Sequence, residues 1–510
     1  METKTEHKII DSYGDVRIIE GRDSPIPMYI IMPVEFTDQE KELLKDPRRI
    51  LPNYKDIMGK IEDFRTSAEK EDFLREYLEV RLEKENIVIV NHQAVINQIM
   101  DDVFLGYGII GPLIRDDTLE EIMINGVELP IFVFHRKHGM CATNVEFTSQ
   151  TTLVELIDWI ARYAGRKINR ERPLLDAHLP DGSRANVVVA PAAPYGPVVT
   201  IRKFKKVPYT IIDLIILKTI TLELGAFLWA CIEGLGMHPA SIIIAGGSGS
   251  GKTTLLNALS MFIPRKERVV SVEDTLELNF DFIENWVALE AFPSVMDKGA
   301  TMLDMATLME NSLRMRPDRV IVGEVRGVEA ETLFTAMNIG LNGSMGTIHA
   351  NNARDATIRL MEEPMNLPVR MFRLLDLIVV ANRYFSKEKG VMRRVTQVAE
   401  LAGVEKGVVQ LGDLFLWDQG TDAISRTDFP IMFLEKIAER TNLPKRQVQS
   451  EIFLRQKILE YMLKNNIRDN KRVCDIFQEY HTDPNTVLSK LGLLKEIEQQ
   501  RAKPKKSEED

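Results

Sequence analysis

The 510-residue chain contains only three cysteines, and their positions exclude two classes of site. Cys141, Cys231 and Cys474 stand far apart and form no CxxC pair. A disulfide framework needs several cysteines at short spacings, and a structural zinc site needs closely spaced cysteine pairs. We therefore exclude both a disulfide scaffold and a four-cysteine zinc module.

An apolar stretch long enough for a membrane span or a signal peptide is also missing. The apolar run at 211–232 is interrupted by Asp213, Lys218 and Glu223. The first eleven residues are charged and contain no apolar core. Both features argue against insertion into a bilayer. We expect a cytoplasmic protein whose association with the inner face of the cell membrane is peripheral.

Positive charge is not in excess. The chain carries 65 Lys and Arg against 75 Asp and Glu, a net charge of −10. A protein that coats nucleic acid is normally basic, so we expect no direct nucleic-acid binding. The hydrophobic content of 45% and the charged content of 27% are those of a globular protein. The length corresponds to about three domains.

Changes of pattern along the chain divide it into five segments. Residues 1–105 read as an N-terminal module of helices with some β structure, and residues 106–205 as an α+β domain. Residues 206–418 read as an α/β domain, and residues 419–500 as a C-terminal helical region. Residues 501–510 contain too few apolar groups to fold, and we expect a disordered tail.

Within residues 206–418, short segments rich in β-branched residues alternate with helical sequence. Alternation of this kind predicts a parallel, doubly wound sheet with helices on both faces. The predicted strands are Ser241–Ala245, Arg268–Val272, Arg319–Val322, Met345–His349 and Leu377–Val380.

A phosphate-binding loop follows the first of these strands. Residues 246–253 read GGSGSGKT, which matches the pattern GxxxxGK[ST], and helical sequence follows at 254–262. In this motif backbone N–H groups surround the phosphates, the lysine reaches the terminal phosphates and the hydroxyl binds Mg²⁺. We therefore predict ATP and Mg²⁺ as ligands; the alternative is a flexible glycine turn. The predicted nucleotide-binding residues are Gly246, Gly247, Ser248, Gly249, Ser250, Gly251, Lys252, Thr253 and Thr254.

Three further polar residues stand at the ends of predicted strands. They are Glu273, Glu324 and His349. Because the carboxyl ends of parallel strands meet at one edge of a sheet, we expect these side chains beside the loop. Hydrolysis of ATP needs a group that orients the attacking water. It also needs cations that neutralise the charge of the phosphate chain. We assign Glu324 to the water and Glu273, with Thr253, to the Mg²⁺ shell.

His349 is predicted to form a hydrogen bond near the terminal phosphate. The alternative for each residue considered alone is a solvated turn or a structural histidine. The combination of three such groups beside one phosphate-binding loop favours the catalytic interpretation.

The order of the motifs resembles that of a known family. The sequence is similar to the secretion and type IV pilus assembly ATPases, in the archaeal branch that includes the archaellum motor ATPase. The resemblance covers about residues 104–401. It is carried by the loop at 246–253, VEDTLEL at 272–278, RMRPDRVIVGEVR at 314–326 and a histidine box at 347–360, with upstream matches at 117–126, 175–184 and 200–204.

The resemblance implies a homo-hexameric ring of RecA-like motor domains, each with a hinged N-terminal domain. It implies that Arg184 and Arg202 of the N-terminal domain approach the phosphates when the two domains close. Arg326 and Arg359 are further candidates for the same or a neighbouring site. The implied partners are a polytopic membrane platform protein and, through it, pilin-like subunits.

Two departures from common patterns narrow the choice of function. Glu324 follows Gly323 where many P-loop enzymes have an aspartate, a feature that the resembled family shares. The chain lacks the four-cysteine module of bacterial type II secretion members, which favours an archaeal or conjugation-type relative.

The leading hypothesis is an ATPase that drives assembly of a pilus-like filament or type II-like secretion. The alternatives are a conjugation or type IV secretion ATPase and a nucleotide-binding scaffold without turnover.

Overall fold

The computed structural model describes residues 8–21, 25–51, 54–61, 64, 67–84, 89–203, 208–291, 303–386 and 390–494. The chain divides into two compact units, Met1–Lys206 and Val207–Asp510. The predicted disordered tail at 501–510 lies outside the described residues. In the part of the chain that the structure describes, no helix is both long enough and apolar enough to cross a membrane.

The first unit contains nine described strands and six described α-helices. The strands are β1 (Ile9–Tyr13), β2 (Val16–Ile19), β3 (Met28–Ile31), β4 (Leu119–Ile124), β5 (Pro130–His135), β6 (Gly139–Glu146), β7 (Leu174–His178), β8 (Arg184–Val188) and β9 (Val198–Arg202). The helices are α1 (Asp38–Lys45), α2 (Tyr54–Ile61), α3 (Ser67–Lys84), α4 (His92–Ile99), α5 (Gly111–Arg115) and α6 (Gln150–Tyr163). Short 3₁₀ turns lie at Pro47–Ile50 and Gly108–Ile110, and a π turn lies at Met100–Phe104.

The described strands of the first unit form a single sheet in the order β1-β2-β3-β6-β5-β4-β9-β8-β7. All neighbouring pairs are antiparallel except β3 and β6, which pair in parallel between Met28 and Ala142. The predicted segments 1–105 and 106–205 therefore share one sheet. Helix α6 covers this sheet with buried Leu153, Ile157 and Ile160, which recur at the spacing of one helix face.

Helices α1 to α4 bury a separate apolar cluster within the same unit. In α3 the buried side chains are Leu74, Leu78 and Leu82, each four residues from the next. They pack in one cluster with Leu43 and Val95 from α1 and α4. The buried side chains of α3 therefore lie on one face of the helix.

The second unit contains nine described strands and ten described α-helices. The strands are β10 (Ile242–Ala245), β11 (Val269–Glu273), β12 (Trp286–Glu290), β13 (Arg319–Val322), β14 (Met345–Ile348), β15 (Leu377–Ser386), β16 (Gly390–Glu405), β17 (Val408–Asp418) and β18 (Ala423–Arg426). The helices are α7 (Ile211–Ile216), α8 (Leu222–Glu233), α9 (Lys252–Ser260), α10 (Met305–Ser312), α11 (Glu329–Asn338), α12 (Ala353–Met361), α13 (Met432–Thr441), α14 (Lys445–Lys464), α15 (Asn470–Thr482) and α16 (Pro484–Lys490). Further 3₁₀ turns lie at Gly234–Gly236, Leu313–Met315 and Val369–Leu374.

Six strands of the second unit form a parallel sheet in the order β12-β11-β13-β14-β10-β15. The strands β10, β13 and β14 are fully buried because apolar clusters cover both faces of the sheet. The loop after β10 lies in the interior of the sheet, since β10 is the middle strand of the nine and is paired with β14 on one side and β15 on the other. The predicted fold class, a RecA-like α/β domain with a parallel, doubly wound sheet, is confirmed.

The sheet continues beyond the parallel region through β16, β17 and β18, which are antiparallel to their neighbours. The predicted strand Leu377–Val380 is only the first part of β15. The helical region predicted from residue 419 is wrong at its start, because β18 belongs to the sheet. The helical region begins with α13 at Met432.

The C-terminal helices pack against the α/β domain of the same unit. Arg455 of α14 is buried and donates two hydrogen bonds to Glu233 at the end of α8, at 3.1 and 2.7 Å. Ile458, Leu459 and Met462 follow on the buried side of α14. The predicted C-terminal region therefore contains helices, and α14 packs in one apolar cluster with α8.

Candidate functional site

The loop between β10 and α9 has the backbone that a phosphate-binding loop requires. Strand β10 is buried along its whole length, and α9 begins at Lys252. Gly249 and Gly251 have φ angles of +67° and +90°, which side chains rarely adopt. Gly246 lies where an added Cβ would overlap the carbonyl of Ala381. The glycines therefore hold the loop close to the neighbouring strand β15.

Lys252 is the first residue of α9 and is 7% exposed. Its ammonium donates a hydrogen bond to the Gly247 carbonyl at 3.1 Å and lies 3.4 Å from Nδ1 of His349. The cation therefore lies inside the loop, next to the residue that follows β14. A phosphate chain in the loop would lie within reach of this ammonium.

His349 connects Lys252 to Glu324. Its Nε2 lies 2.9 Å from Oε1 of Glu324, which follows β13. Burial, together with the Lys252 charge, lowers the pKa of His349, so the ring is neutral at pH 7. The structure therefore brings together three of the predicted site residues in a continuous series of polar contacts.

Glu324 is half-buried and paired with Arg326. It accepts a hydrogen bond from Arg326 Nη2 at 2.8 Å, and Arg326 Nη1 lies 3.5 Å from Asp274. Burial acts to raise the pKa of Glu324, but the hydrogen bond and the charge of Arg326 outweigh it, and the pKa lies below its usual value. Glu324 is therefore ionised at neutral pH and able to accept a hydrogen bond from water.

Glu273 ends the neighbouring strand β11 and is 1% exposed. Its Oε2 accepts hydrogen bonds from the backbone N–H groups of Glu277 and Leu278 at 2.8 and 3.1 Å. Its Oε1 is buried and has no hydrogen-bond partner among the described residues. Burial raises the pKa of Glu273 to about 7. Gly323 lies alongside, where an added Cβ would come within 2.8 Å of the Glu273 side chain.

The unpartnered oxygen of Glu273 and the hydroxyl of Thr253 fit a bound magnesium ion. Mg²⁺ prefers oxygen ligands, and it usually binds through one or two protein oxygens plus the phosphates of its substrate. A buried carboxylate oxygen without a partner is unfavourable unless a cation or a donor compensates it. The residues present therefore suit Mg²⁺ bound together with a nucleotide.

Two predicted site residues, Arg184 and Arg202, belong to the first unit. Arg184 is the first residue of β8 and Arg202 the last residue of β9, and the two are direct partners in the antiparallel ladder. The guanidinium of Arg184 lies 3.4 Å from Asp176, and both arginines are partly or largely exposed. The strand register therefore places them side by side. Arg359, also a candidate, is exposed on α12 of the second unit.

Two arginines beside the loop have no counterpart among the predicted residues. Arg393 Nε donates a hydrogen bond to the Gly249 carbonyl at 3.0 Å. An added Cβ at Gly249 would lie 2.9 Å from Nη1 of Arg383. Both arginines belong to the β15–β16 hairpin, where they are direct partners. No motif marks them in the sequence, and only the register of β15 with both β10 and β16 reveals their position.

A family model described as Type II/IV secretion system protein matches residues 105–385, more than half of the chain. The chain belongs to this family. The resemblance predicted from the motifs is thereby confirmed. The matched region begins before β4, in the first unit, and ends within β15, in the second, so family membership involves both units.

Several proteins are similar to this chain over long stretches. The Methanocaldococcus jannaschii protein MJ0781 is 38% identical over 353 residues, which cover 67% of this chain but 47% of MJ0781. MJ0900 of the same organism is 34% identical over 385 residues, covering 74% of this chain and 68% of MJ0900. The conjugal transfer protein TrbB of Rhizobium radiobacter is 32% identical over 296 residues, covering 56% and 85%.

Solved structures of secretion and pilus proteins are also similar. The VirB11 ATPase from the Brucella suis type IV secretion system, crystallised with sulphate, is 27% identical with a TM-score of 0.28, covering 56% of this chain and 94% of that chain. The pilus retraction motor PilT with bound ADP is 16% identical with a TM-score of 0.40, covering 64% and 84%.

Proposed function

We propose that this secretion-system family member is a mechanical ATPase that hydrolyses ATP to ADP and phosphate. The observation that carries the proposal is the series of contacts Lys252–His349–Glu324 at the open edge of the parallel sheet. It joins a cation inside a phosphate-binding loop to an ionised carboxylate that follows the nearby strand β13. A loop that only bound a nucleotide would not need that carboxylate.

Each group has one proposed role. Lys252 and the N–H groups of residues 246–254 bind the phosphates, and Glu324 orients the attacking water and polarises it. His349 holds Glu324 and Lys252 at a fixed separation and forms a hydrogen bond near the terminal phosphate. Thr253 and Glu273 would hold Mg²⁺. The ion would neutralise phosphate charge as the bond to the leaving group breaks.

Arg184 and Arg202 supply further positive charge in this proposal. When the first unit closes on the second, the two guanidinium groups approach the phosphates. They compensate the negative phosphate charge that Lys252 does not neutralise. Nucleotide then favours the closed state because the additional contacts exist only there. We propose that this closure, repeated around a homo-hexameric ring, is the mechanical step.

The cellular role that we propose is assembly of a type IV pilus-like filament, such as an archaellum or a pilus, or type II-like secretion. The ring would act on the cytoplasmic side of a membrane, bound peripherally to a polytopic platform protein and acting through it on pilin-like subunits. The match to a family model whose description includes type II secretion supports this version. We propose no direct contact with nucleic acid.

The second candidate is an ATPase of conjugation or type IV secretion. The conjugal transfer protein TrbB and the type IV secretion protein PtlH of Bordetella pertussis support it, at 32% and 36% identity. Affinity purification of the chain from its native membrane separates the two roles. A platform protein that co-purifies with pilin-like subunits supports filament assembly, and conjugation-channel components support the second candidate.

The test of hydrolysis is the variant Glu324→Gln. We expect phosphate release to fall by roughly 100-fold or more, because the amide cannot accept a proton from water, while ATP binding stays within about twofold. Phosphate release and equilibrium binding are measured on the same preparation.

Glu331→Gln is the matched control, since Glu331 is exposed on α11 of the same unit and should leave the rate unchanged. Equal rates in the wild type and Glu324→Gln would remove the catalytic assignment. A wild type that binds ATP without releasing phosphate, even with membrane partners added, would favour the scaffold alternative.

A further inference from the structure

The β15–β16 hairpin extends beyond the phosphate-binding loop. Strand β10 ends at Ala245, which pairs with Val380, whereas β15 continues to Ser386. The last part of β15 pairs with the first part of β16, from Arg383 opposite Arg393 to Ser386 opposite Gly390. This two-stranded extension therefore stands at the same edge of the sheet as the loop, on the side away from β14.

One face of the extension is directed at the loop. Alternate residues of a strand point to the same face, so Arg383 and Phe385 share a face with their partner Arg393. This is the face that contacts the loop, through the hydrogen bond from Arg393 Nε to the Gly249 carbonyl. The Cδ of Arg393 also comes within 3.3 Å of a Cβ position at Gly251.

The opposite face of the extension is packed, and the loop-facing side is open. On the packed side Tyr384 lies against Trp417, with ring centroids 4.6 Å apart, and Arg394 is paired with Asp422. On the loop side Phe385 is 76% exposed. Arg383 is exposed and makes no hydrogen bond or ion pair with other described residues. An aromatic ring and a free guanidinium therefore stand together next to the loop.

We propose that this face, formed by Arg383, Phe385 and Arg393, binds the base of the nucleotide whose phosphates occupy the loop. The proposal rests on the proposed function, because it requires a nucleotide at Gly246–Thr253. A purine offers two flat faces, and aromatic rings and guanidinium groups are the protein groups that stack on such faces. Arg393 acts as a positioning residue, since its hydrogen bond to Gly249 fixes the hairpin to the loop.

The chemistry of the loop explains why a second contact surface is useful. Backbone N–H groups and Lys252 recognise phosphate oxygens, which every nucleotide carries, so the loop alone does not select a base. The base and sugar project beyond the loop, and a flat cationic and aromatic surface beside it would bind them. Stacking is tolerant of base identity, so the expected effect is on affinity for nucleotides over bare phosphates.

The experiment compares ADP with inorganic pyrophosphate, both with Mg²⁺, by calorimetry on the full-length protein. In Phe385→Ala and in Arg383→Ala we expect affinity for ADP to fall about tenfold while affinity for pyrophosphate is unchanged. Phe385→Tyr should keep the wild-type affinity for ADP because it keeps the ring. Val408→Ala is the control, since Val408 is exposed on β17 of the same sheet.

Each other outcome overturns the proposal. Wild-type affinity for ADP in both alanine variants would show that the base lies elsewhere. That result would not contradict the proposed phosphate site. An equal loss of ADP and pyrophosphate would show that the hairpin only supports the loop. If the wild type itself bound neither ligand, the proposed function would fail, and this inference with it.

Discussion

Two carboxylates at the edge of the parallel sheet have opposite electrostatic surroundings. Burial raises the pKa of Glu273 to about 7, and the contact with Arg326 keeps the pKa of Glu324 below its usual value. Carboxylates whose surroundings move their pKa values apart are typical of sites that divide roles between them. Glu324 is thus ionised at neutral pH and able to accept a hydrogen bond from water. Ionisation of the buried Glu273 costs free energy unless a cation compensates its charge.

The pKa of Glu273 predicts a pH-dependent stability. A carboxyl group whose pKa is raised in the folded state stabilises the fold below its unfolded pKa, and that contribution is lost as the pH rises through about 7. Glu273→Gln removes the charge that burial penalises. The quantity of interest is the difference in melting temperature, variant minus wild type, without nucleotide or Mg²⁺. We expect this difference to be roughly 2–6 °C larger at pH 8 than at pH 4.5.

Thermal unfolding by calorimetry across this range measures the difference. Glu310→Gln is the control, because Glu310 is an exposed glutamate on α10 of the same unit. A difference in melting temperature that is the same at pH 4.5 and pH 8 would contradict the account of Glu273.

Among the elements, the parallel strands were predictable because burial on both faces leaves an uninterrupted apolar run. The predicted strand Arg319–Val322 has the bounds of β13, and Ser241–Ala245 differs from β10 by one residue. The residues at or just beyond the ends of these strands, Glu324 among them, were predictable for the same reason. Their meeting at one edge follows from the parallel topology.

The antiparallel part of the sheet was not predictable in the same way. Strand β16 mixes buried and half-exposed residues and contains two glycines and several charged side chains, so its pattern resembles neither a buried strand nor a clean alternation. A register shift between β15 and β16, at Val380 and Ala381, also changes the face on which each later side chain lies. Arg383 and Arg393 were missed for this reason, since only that register places them beside the loop.

At the scale of the whole molecule, the chain consists of two units that the family match spans. The phosphate-binding loop and its carboxylates lie in the second unit, and the paired Arg184 and Arg202 lie in the first. In the mechanism that we propose, residues of both units complete the site, so that domain closure switches it on and off. A motor needs this property to convert binding into movement.

We predict that the double variant Arg184→Ala, Arg202→Ala binds ATP as the wild type does and hydrolyses it roughly 10- to 1,000-fold more slowly. The reason is that the lost cations act on charge in the transition state rather than on the open, nucleotide-bound state. Single-turnover hydrolysis and equilibrium binding separate the two effects.

Arg166→Ala with Arg172→Ala is the matched control, because both arginines belong to the same unit and neither is a predicted site residue. Normal turnover in the Arg184, Arg202 variant would mean that the first unit does not complete the site.

The central claim, that a nucleotide binds with its phosphates at residues 246–254, is tested most directly by calorimetry of Mg²⁺–ADP binding to Lys252→Ala. Lys266→Ala is the control, since Lys266 is an exposed lysine beyond the end of α9. The account predicts an affinity at least about tenfold weaker in Lys252→Ala, because a buried ammonium no longer compensates the phosphates, and no change in Lys266→Ala. Wild-type affinity in Lys252→Ala would contradict it.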